Sequence, residues 1–248
     1  MTGRLTWLGH ATVLVEIGGA VLLTDPVLRE RVAHLRRRTP APRAPLSVDA
    51  VLVSHLHHDH LDLRSLALVD PAAPVVLPRG GARALRRTGR DLLELSAGDG
   101  VELAGVHIRA VPAVHDGRRW PLSRTAEAVG YVIQARRRVY FAGDTARFDA
   151  MAQLTDLDAA LLPIWGWGPR LGPGHMDPDE AARAVALIRP RMVVPIHWGT
   201  FLPIGLARRH ARLLRDPARA FAARAAQAAP DVEVCVLTPG DSVGLADA

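Results

Sequence analysis

Lysine is absent from this chain of 248 residues, so all 31 of its basic side chains are arginine. Against 25 acidic residues they give a formal net charge of +6 and a pI of about 10.9. Such values can signal nucleic acid or an anionic surface as partner. Here arginine accompanies abundant alanine, the pattern of a G+C-rich coding sequence, and arginine's own pKa above ~12 lifts the pI. Aromatic residues make up 4%, too few for an evident base-stacking platform, so nucleic acid is not the expected partner. Cysteine occurs once, at Cys235, which excludes an internal disulfide; in the strand-like run Val232–Leu237 it reads as a small buried side chain. No apolar run reaches the ~18–20 residues of a membrane span. The stretch Met1–Trp7 has neither the charged nor the apolar region of a signal peptide, and the expected address is cytoplasmic.

What is present suits a folded domain rich in turns: 49% hydrophobic residues, 21 Gly and 19 Pro. A chain of this length buries roughly 70–75% of its unfolded surface. With no repeat of about 20–50 residues and no linker, residues 1–248 read as one domain. The elements alternate. Leu5–Leu8, Thr12–Ile17 and Ala20–Thr24 are strand-like, the last two joined by Gly18-Gly19, a hairpin signal. Residues 29–45, with several Arg and three Pro, read as an exposed loop, or as a phosphate- or membrane-facing lip over a site. Further strands are expected at Asp49–Val53, Val75–Leu77, Leu92–Leu95, Val101–Leu103, Val106–Val111, Val129–Gln134, Val139–Ala142, Ala159–Ile164, Met192–Ile196 and Val232–Leu237. Helices are expected at Gly81–Thr88, Arg147–Leu154, Leu206–Leu214 and Pro217–Gln227, the last capped by Asp216. Asp177, with Pro178 next and Glu180 three residues on, starts another that runs to about Ile188. Strands with helices interposed suit two mixed sheets face to face, helices outside.

The chemistry concentrates in Ser54-His55-Leu56-His57-His58-Asp59-His60-Leu61-Asp62, directly after the apolar run Asp49–Val53. Residues two apart in an extended chain point the same way, so His55 and His57 share a side while Leu56 takes the other. Asp59 and His60 fall on the following turn and aim at a different point; His58 points away. Three more donors stand where apolar strands stop: His115, Asp144 and His197. Strand ends hold ligands rigidly, as a preorganised metal site requires. Together they supply His55, His57 and His115 for one ion and Asp59, His60 and His197 for another, with Asp144 able to bridge. A solvated His-rich loop is the plain alternative for the first cluster. His10 and Asp25, which precedes Pro26, each also have a structural reading, as polar neighbour and turn cap. His34, His107 and His210 suggest no task.

The series His-x-His-x-Asp-His followed by His115, Asp144 and His197 resembles the metallo-β-lactamase-fold hydrolases over nearly the whole chain. Trp7–Thr12, Leu23–Val27, Val111–His115, Leu162–Ile164, His175–Ala181 and Ile196–Phe201 are similar to the branch holding N-acylphosphatidylethanolamine phospholipase D and the ascorbate-6-phosphate lactonases. The resemblance implies an α/β (α+β) fold: a four-layer αβ/βα sandwich of two mixed β-sheets flanked by helices, with the site at the edge between the sheets. It also implies two divalent metal ions, usually Zn2+, with Mn2+ or Fe2+ in some members, and a supporting role for Asp25 behind the metal loop. The true zinc β-lactamases carry cysteine where Asp144 stands, and the diiron flavoproteins of the fold carry Glu where His57 stands. Neither pattern fits here.

The implied activity is metal-dependent hydrolysis by a metal-bound hydroxide, since a metal lowers water's pKa from ~15.7 to about 7. The substrate class is a small or lipid-like phosphodiester (phospholipase D-like) or a lactone. Asp59 or Asp144 would take or orient the proton. His175, matching a site histidine of the branch, would donate the leaving-group proton or contact an oxyanion. His10 would line the pocket, and Trp165, Trp167 and Arg170 would shape its mouth. The other readings are a metal-retaining binding or regulatory domain, or a nuclease; assembly into a homo-oligomer is compatible with the sequence.

Overall fold

A computed structural model describes residues 3–43, 46–117, 119 and 126–245. β1 (Gly3–Gly9), β2 (Thr12–Ile17) and β3 (Ala20–Thr24) form an antiparallel meander. Its Gly18–Gly19 turn takes φ of +61° and +94°, which glycine adopts without the Cβ penalty. After a short hairpin of β4 (Arg31–Val32) and β5 (Leu35–Arg37), β6 (Ala50–Leu52), β7 (Val75–Pro78) and β8 (Leu92–Leu95) extend β3 in parallel. Two single-turn helices, α1 (Leu63–Leu66) and α2 (Ala82–Leu85), lie along this half.

The second half repeats the plan. β9 (Gly100–Leu103), β10 (Val106–Pro112), β11 (Val129–Gln134) and β12 (Arg138–Phe141) pair antiparallel. β13 (Ala159–Pro163), β14 (Met192–Ile196) and β16 (Glu233–Val234) continue in parallel. α3 (Pro178–Ile188) links β13 to β14; its start is capped by the Asp177 side chain, which accepts from the Glu180 amide at 2.9 Å. β15 (Phe201–Pro203), α4 (Ala207–His210) and α5 (Asp216–Ala228) precede β16. β17 (Ser242–Leu245) returns to the free edge of β1.

Strand orders are β17-β1-β2-β3-β6-β7-β8 and β16-β14-β13-β12-β11-β10-β9. One core joins the two sheets, with Leu5, Trp7, Val13, Ile108, Tyr131, Phe141 and Leu161 among its buried members, and it continues to Val185 of α3 and Phe221 of α5. A second core sits under α1 and α2. The α/β sandwich expected from the sequence is therefore present, with one helical layer reduced to single turns. Because β1, β3, β6, β10, β12, β13 and β14 all end at the same edge, every loop following them opens onto one rim. In mixed α/β sheets that rim is where ligands bind.

Several expectations need correction. Residues 31–37 are not an exposed loop: β4 and β5 join β15 in a small sheet, because Val32 and Leu35 bury with Val27 and Phe201. Residues 38–43, by contrast, carry no strand or helix and are half-buried to exposed. Ala44 and Pro45 lie outside the described residues. The helix expected at Arg147–Leu154 is a 3-10 turn, Asp149–Gln153, and α2 is shorter than Gly81–Thr88. Asp216 makes no side-chain cap; it is the first residue of α5, where its charge faces the positive helix end. The final strand is β17, whereas Val232–Leu237 pairs only over Glu233–Val234. Cys235 is accordingly half-buried, with Sγ 3.3 Å from Glu233 Oε1.

Arg37 holds the small sheet to the main one. Buried on β5, its guanidinium donates to the carbonyls of Val27 (2.6 Å), Leu8 (3.1 Å) and Arg29 (3.4 Å) and lies 4.9 Å from the centre of the Phe201 ring. Arg37→Met keeps the aliphatic stem but leaves these buried carbonyls without their donor. Urea denaturation should show a loss of about 2–4 kcal/mol; an unchanged midpoint would contradict this role.

Candidate metal centre

The residues from His55 onward sit on a tight turn, with the amides of His60 and Leu61 both donating to the His57 carbonyl (3.0 and 2.8 Å). Leu56 points into the second core, which sends His55 and His57 the other way. Nδ1 of His55 lies 3.0 Å from Ser54 Oγ, Nδ1 of His60 2.6 Å from Asp25 Oδ2, Nδ1 of His115 2.8 Å from the Gly174 carbonyl, and Nδ1 of His197 2.9 Å from the Trp165 carbonyl. Each of these nitrogens therefore carries the proton, assigned from its acceptor; the Nε2 atoms of His55, His115 and His197 turn lone pairs inward, and His60 does the same once its second proton gives way to a cation. His57 turns Nδ1 inward instead.

Those inward nitrogens converge. His55 Nε2 and His57 Nδ1 are 2.9 Å apart, and His115 Nε2 is 3.2 Å from the same His57 atom. His60 Nε2 and His197 Nε2 are also 2.9 Å apart. Asp59 Oδ2 lies 3.8 Å from the first of these and 3.7 Å from the second. Asp144 reaches both groups: Oδ2 is 3.1 Å from His60 Nε2 and 4.0 Å from His55 Nε2, while Oδ1 is 3.2 Å from His197 Nε2. The sets His55–His57–His115 and His10–Asp59–His60–His197 each fall within 4.8 Å.

Lone pairs facing each other at such distances repel unless positive charge lies between them. Asp144 Oδ1, moreover, is buried and receives no hydrogen bond among the described residues, an expensive state for a carboxylate oxygen. Both observations fit divalent cations. The imidazole and carboxylate donor set suits zinc and also accommodates manganese or iron.

The electrostatics agree. Burial lowers His55 well below the ordinary 6.5 and brings His115 to about 4, so these rings are neutral and their lone pairs free. Burial opposes charge on His60 too, but Asp144 and Asp25 outweigh it and raise that ring. Burial likewise opposes charge on Asp59 and Asp144, yet the surrounding histidines hold both carboxyls well below the usual carboxylate range.

Asp25 stands behind the loop. At the end of β3 it accepts from the Ser54 amide (2.7 Å), Ser54 Oγ (2.6 Å) and His60 Nδ1 (2.6 Å). Its φ of +31°, with +55° at His10 and +61° at His197, puts three non-glycine residues of the rim in the left-handed region, a concentration typical of functional sites. Gly143 lies close by: a Cβ there would meet Ser54 Cβ at 2.4 Å, and this close approach brings Asp144 over the loop.

The structure revises the outer residues. A cavity of about 550 Å³ opens over the cluster and includes His57, Asp59, Asp144, Trp167 and His175 in its wall. His10 is not in that wall; it is buried behind Asp59, with Nε2 3.1 Å from Oδ2, and burial together with His197 lowers its pKa to about 3. It therefore serves as a neutral donor to Asp59. Trp167 lines the cavity and donates from Nε1 to Asp59 Oδ2 at 3.0 Å. Trp165 packs on the main core, and its contribution is the carbonyl that holds His197. Arg170 is exposed and outside the cavity wall. His34, for which the sequence suggested no task, packs edge-on to Trp167 at 4.7 Å and joins the wall.

His175 places Nε2 3.3 Å from Asp144 Oδ2 at the rim; burial works against its charge, but Asp144 prevails and raises its pKa. His58 faces Arg119 rather than the cluster, and His107 pairs with Glu102 on the surface. Ser54, which links Asp25 to His55, was not anticipated; its position between the strand and the first histidine was the available signal.

A family profile described as Beta-lactamase superfamily domain matches residues 21–198. A UPF0173 metal-dependent hydrolase of Methanopyrus kandleri is 35% identical over 252 residues, covering 96% of this chain and 98% of that protein. The N-acyl-phosphatidylethanolamine-hydrolyzing phospholipase D 1 of Caenorhabditis elegans is 33% identical over 230 residues, 81% of this chain and 64% of that protein. Uncharacterized mycobacterial relatives at 36% identity match over 79% of this chain, which spans only 59% of their length. Among solved structures, Igni18, a metallo hydrolase of Ignicoccus hospitalis, superposes with a TM-score of 0.72 at 25% identity over 98% of both chains.

Removing a residue that orients metal ligands typically costs about 10–100-fold in metal affinity. Asp25→Ala frees Ser54 and His60 together and should weaken zinc binding by about that factor in competition with a chromophoric chelator. Retention of wild-type affinity would remove Asp25 from the site's support.

Proposed function

The chain belongs to the β-lactamase superfamily as a metal-dependent hydrolase, and we propose that it holds two divalent ions, most simply zinc, and cleaves a phosphodiester or lactone. The observation that carries this reading is the reach of Asp144 to both imidazole groups. His55, His57 and His115 would hold one ion, Asp59, His60 and His197 the other, and Asp144 would touch both. Because ligands come from both sheets, residues 1–248 would act as one catalytic unit.

Bound metal would lower the pKa of water toward about 7 and polarise the scissile phosphoryl or carbonyl oxygen. The protein's own groups do the rest. Asp59, fixed by Trp167 Nε1 and His10 Nε2, orients the attacking water. Asp144, kept ionised by the histidines around it, holds its place between the two imidazole groups. His175, at the rim with Nδ1 near the carbonyls of Gly172 (3.2 Å) and Pro173 (3.1 Å), presents Nε2 toward the cavity, where it can protonate a leaving oxygen or steady a developing oxyanion. The phosphodiester reading draws on the nematode relative, whose name records hydrolysis of a phospholipid.

Zinc-loaded protein should turn over bis-p-nitrophenyl phosphate or members of a lactone panel. Asp59→Ala and His197→Ala should reduce turnover to near background, while His175→Ala should lower kcat by about 10²–10⁴-fold with zinc retained. Full zinc occupancy without turnover of either class would refute hydrolysis of these substrates and favour a binding role.

A further inference from the structure

The cavity over the cluster has two unlike walls. Val32, Ala33, Leu35 and Trp167 form an apolar lip built by the small sheet. The other wall carries His58 and Arg119, and among the described lining residues Arg119 alone bears a permanent positive charge. Its Nη1 donates to the carbonyls of Leu56 (3.0 Å) and Leu61 (2.9 Å), and Nη2 lies 3.2 Å from His58 Nδ1. A guanidinium has five N–H donors, so Nε–H and the second Nη2–H have no partner among the described residues. Asp62, the acidic group whose charge Arg119 feels, is engaged elsewhere, with Ser65 Oγ at 2.6 Å and Arg29 Nη1 at 3.4 Å. The carboxylates in the cavity wall, Asp59 and Asp144, are turned into the histidine cluster. A guanidinium with no carboxylate on it among the described residues, fixed at three N–H groups and open at two others, is a directional receptor for an oxyanion.

We propose that Arg119 recognises a second, non-reacting anionic group of the substrate. The cavity then selects small molecules whose scissile group sits over His57, Asp59 and Asp144. A carboxylate or phosphate arm lies at Arg119, and any apolar arm lies against the Val32–Leu35 lip. This assignment rests on the hydrolase reading for the location of the reacting group. A volume of about 550 Å³ is that of a pocket for a small ligand.

The test uses binding, so it does not depend on turnover. Succinate, glutarate and adipate are titrated calorimetrically into zinc-loaded protein beside butyrate, pentanoate and hexanoate. Each compound brings one carboxylate for the metal cluster, and only the first three bring a second anion. At the best-fitting length the dianion should bind at least about tenfold more tightly, a difference of ~1.4 kcal/mol. That ratio should fall to within about twofold of unity in Arg119→Gln and be partly kept in Arg119→Lys, which retains charge without the fork. Zinc content, measured in parallel, reports any damage to the loop whose carbonyls Arg119 holds. A wild-type ratio near one at every length overturns the assignment, as does equal loss of the ratio in the Lys and Gln variants. Dianion preference without turnover of any ester, lactone or phosphodiester would instead sink the hydrolase reading alone. Turnover without dianion preference would sink only the role of Arg119.

Discussion

Imidazole nitrogens 2.9 Å apart, with the far nitrogens of His55, His60 and His197 committed to oxygens, are held face to face by everything around them. The local backbone serves that arrangement. The Asp25 carboxylate fixes His60 directly and His55 through Ser54; the Gly174 and Trp165 carbonyls fix His115 and His197. None of these partners comes from the same strand end as the ring it holds, apart from Ser54. The cluster is thus a property of how the loops meet. A cation placed among the lone pairs would relieve the conflict, and the same acceptors would then raise the basicity of each ring as a ligand.

This explains why the cluster was readable in outline from residues alone. Alternation put His55 and His57 on one side, the turn re-aimed Asp59 and His60, and the habit of apolar strands to stop at a donor marked His115, Asp144 and His197. Each is a local signal, and each lies where the sheets end together. Long-range pairings were not readable. β17 closes on β1 because Leu245 is buried against Gly3, a contact between opposite ends of the chain. β5 finds β15 because Val32, Leu35 and Phe201 share a small apolar pocket, although the Arg and Pro around them spell a loop. Asp216 offered a cap by composition, but the chain enters α5 one residue earlier.

The outer site shows the same division. Trp167 lines the cavity, and its hydrogen bond to Asp59 depends on a loop following β13 reaching one that follows β6. His10 looked like a pocket residue because it ends a strand at the rim. Burial instead keeps it neutral and turns it into a donor for Asp59. Arg170 lies in the same Gly-rich stretch as Trp167 yet faces solvent, while Arg119, in a segment with no recognisable motif, reaches the cavity wall. Sequence neighbourhood identifies the loop that carries a function more reliably than the side chain that performs it.

The division of the candidate ligands between the sheets has an energetic consequence. His10, Asp25 and the His55–His60 turn belong to the first sheet; His115, Asp144 and His197 belong to the second. Three residues at this seam hold positive φ, and non-glycine residues in that region cost of order 1–3 kcal/mol each. Packing between the sheets must therefore already be strong enough to hold the seam in that shape, and the shared core supplies it with large buried side chains such as Trp7, Tyr131 and Phe141. A cation binding both halves would add free energy only to the assembled state, since separated loops cannot present its ligands together. The core prepares the site, and occupancy of the site in turn strengthens the junction that the core has formed.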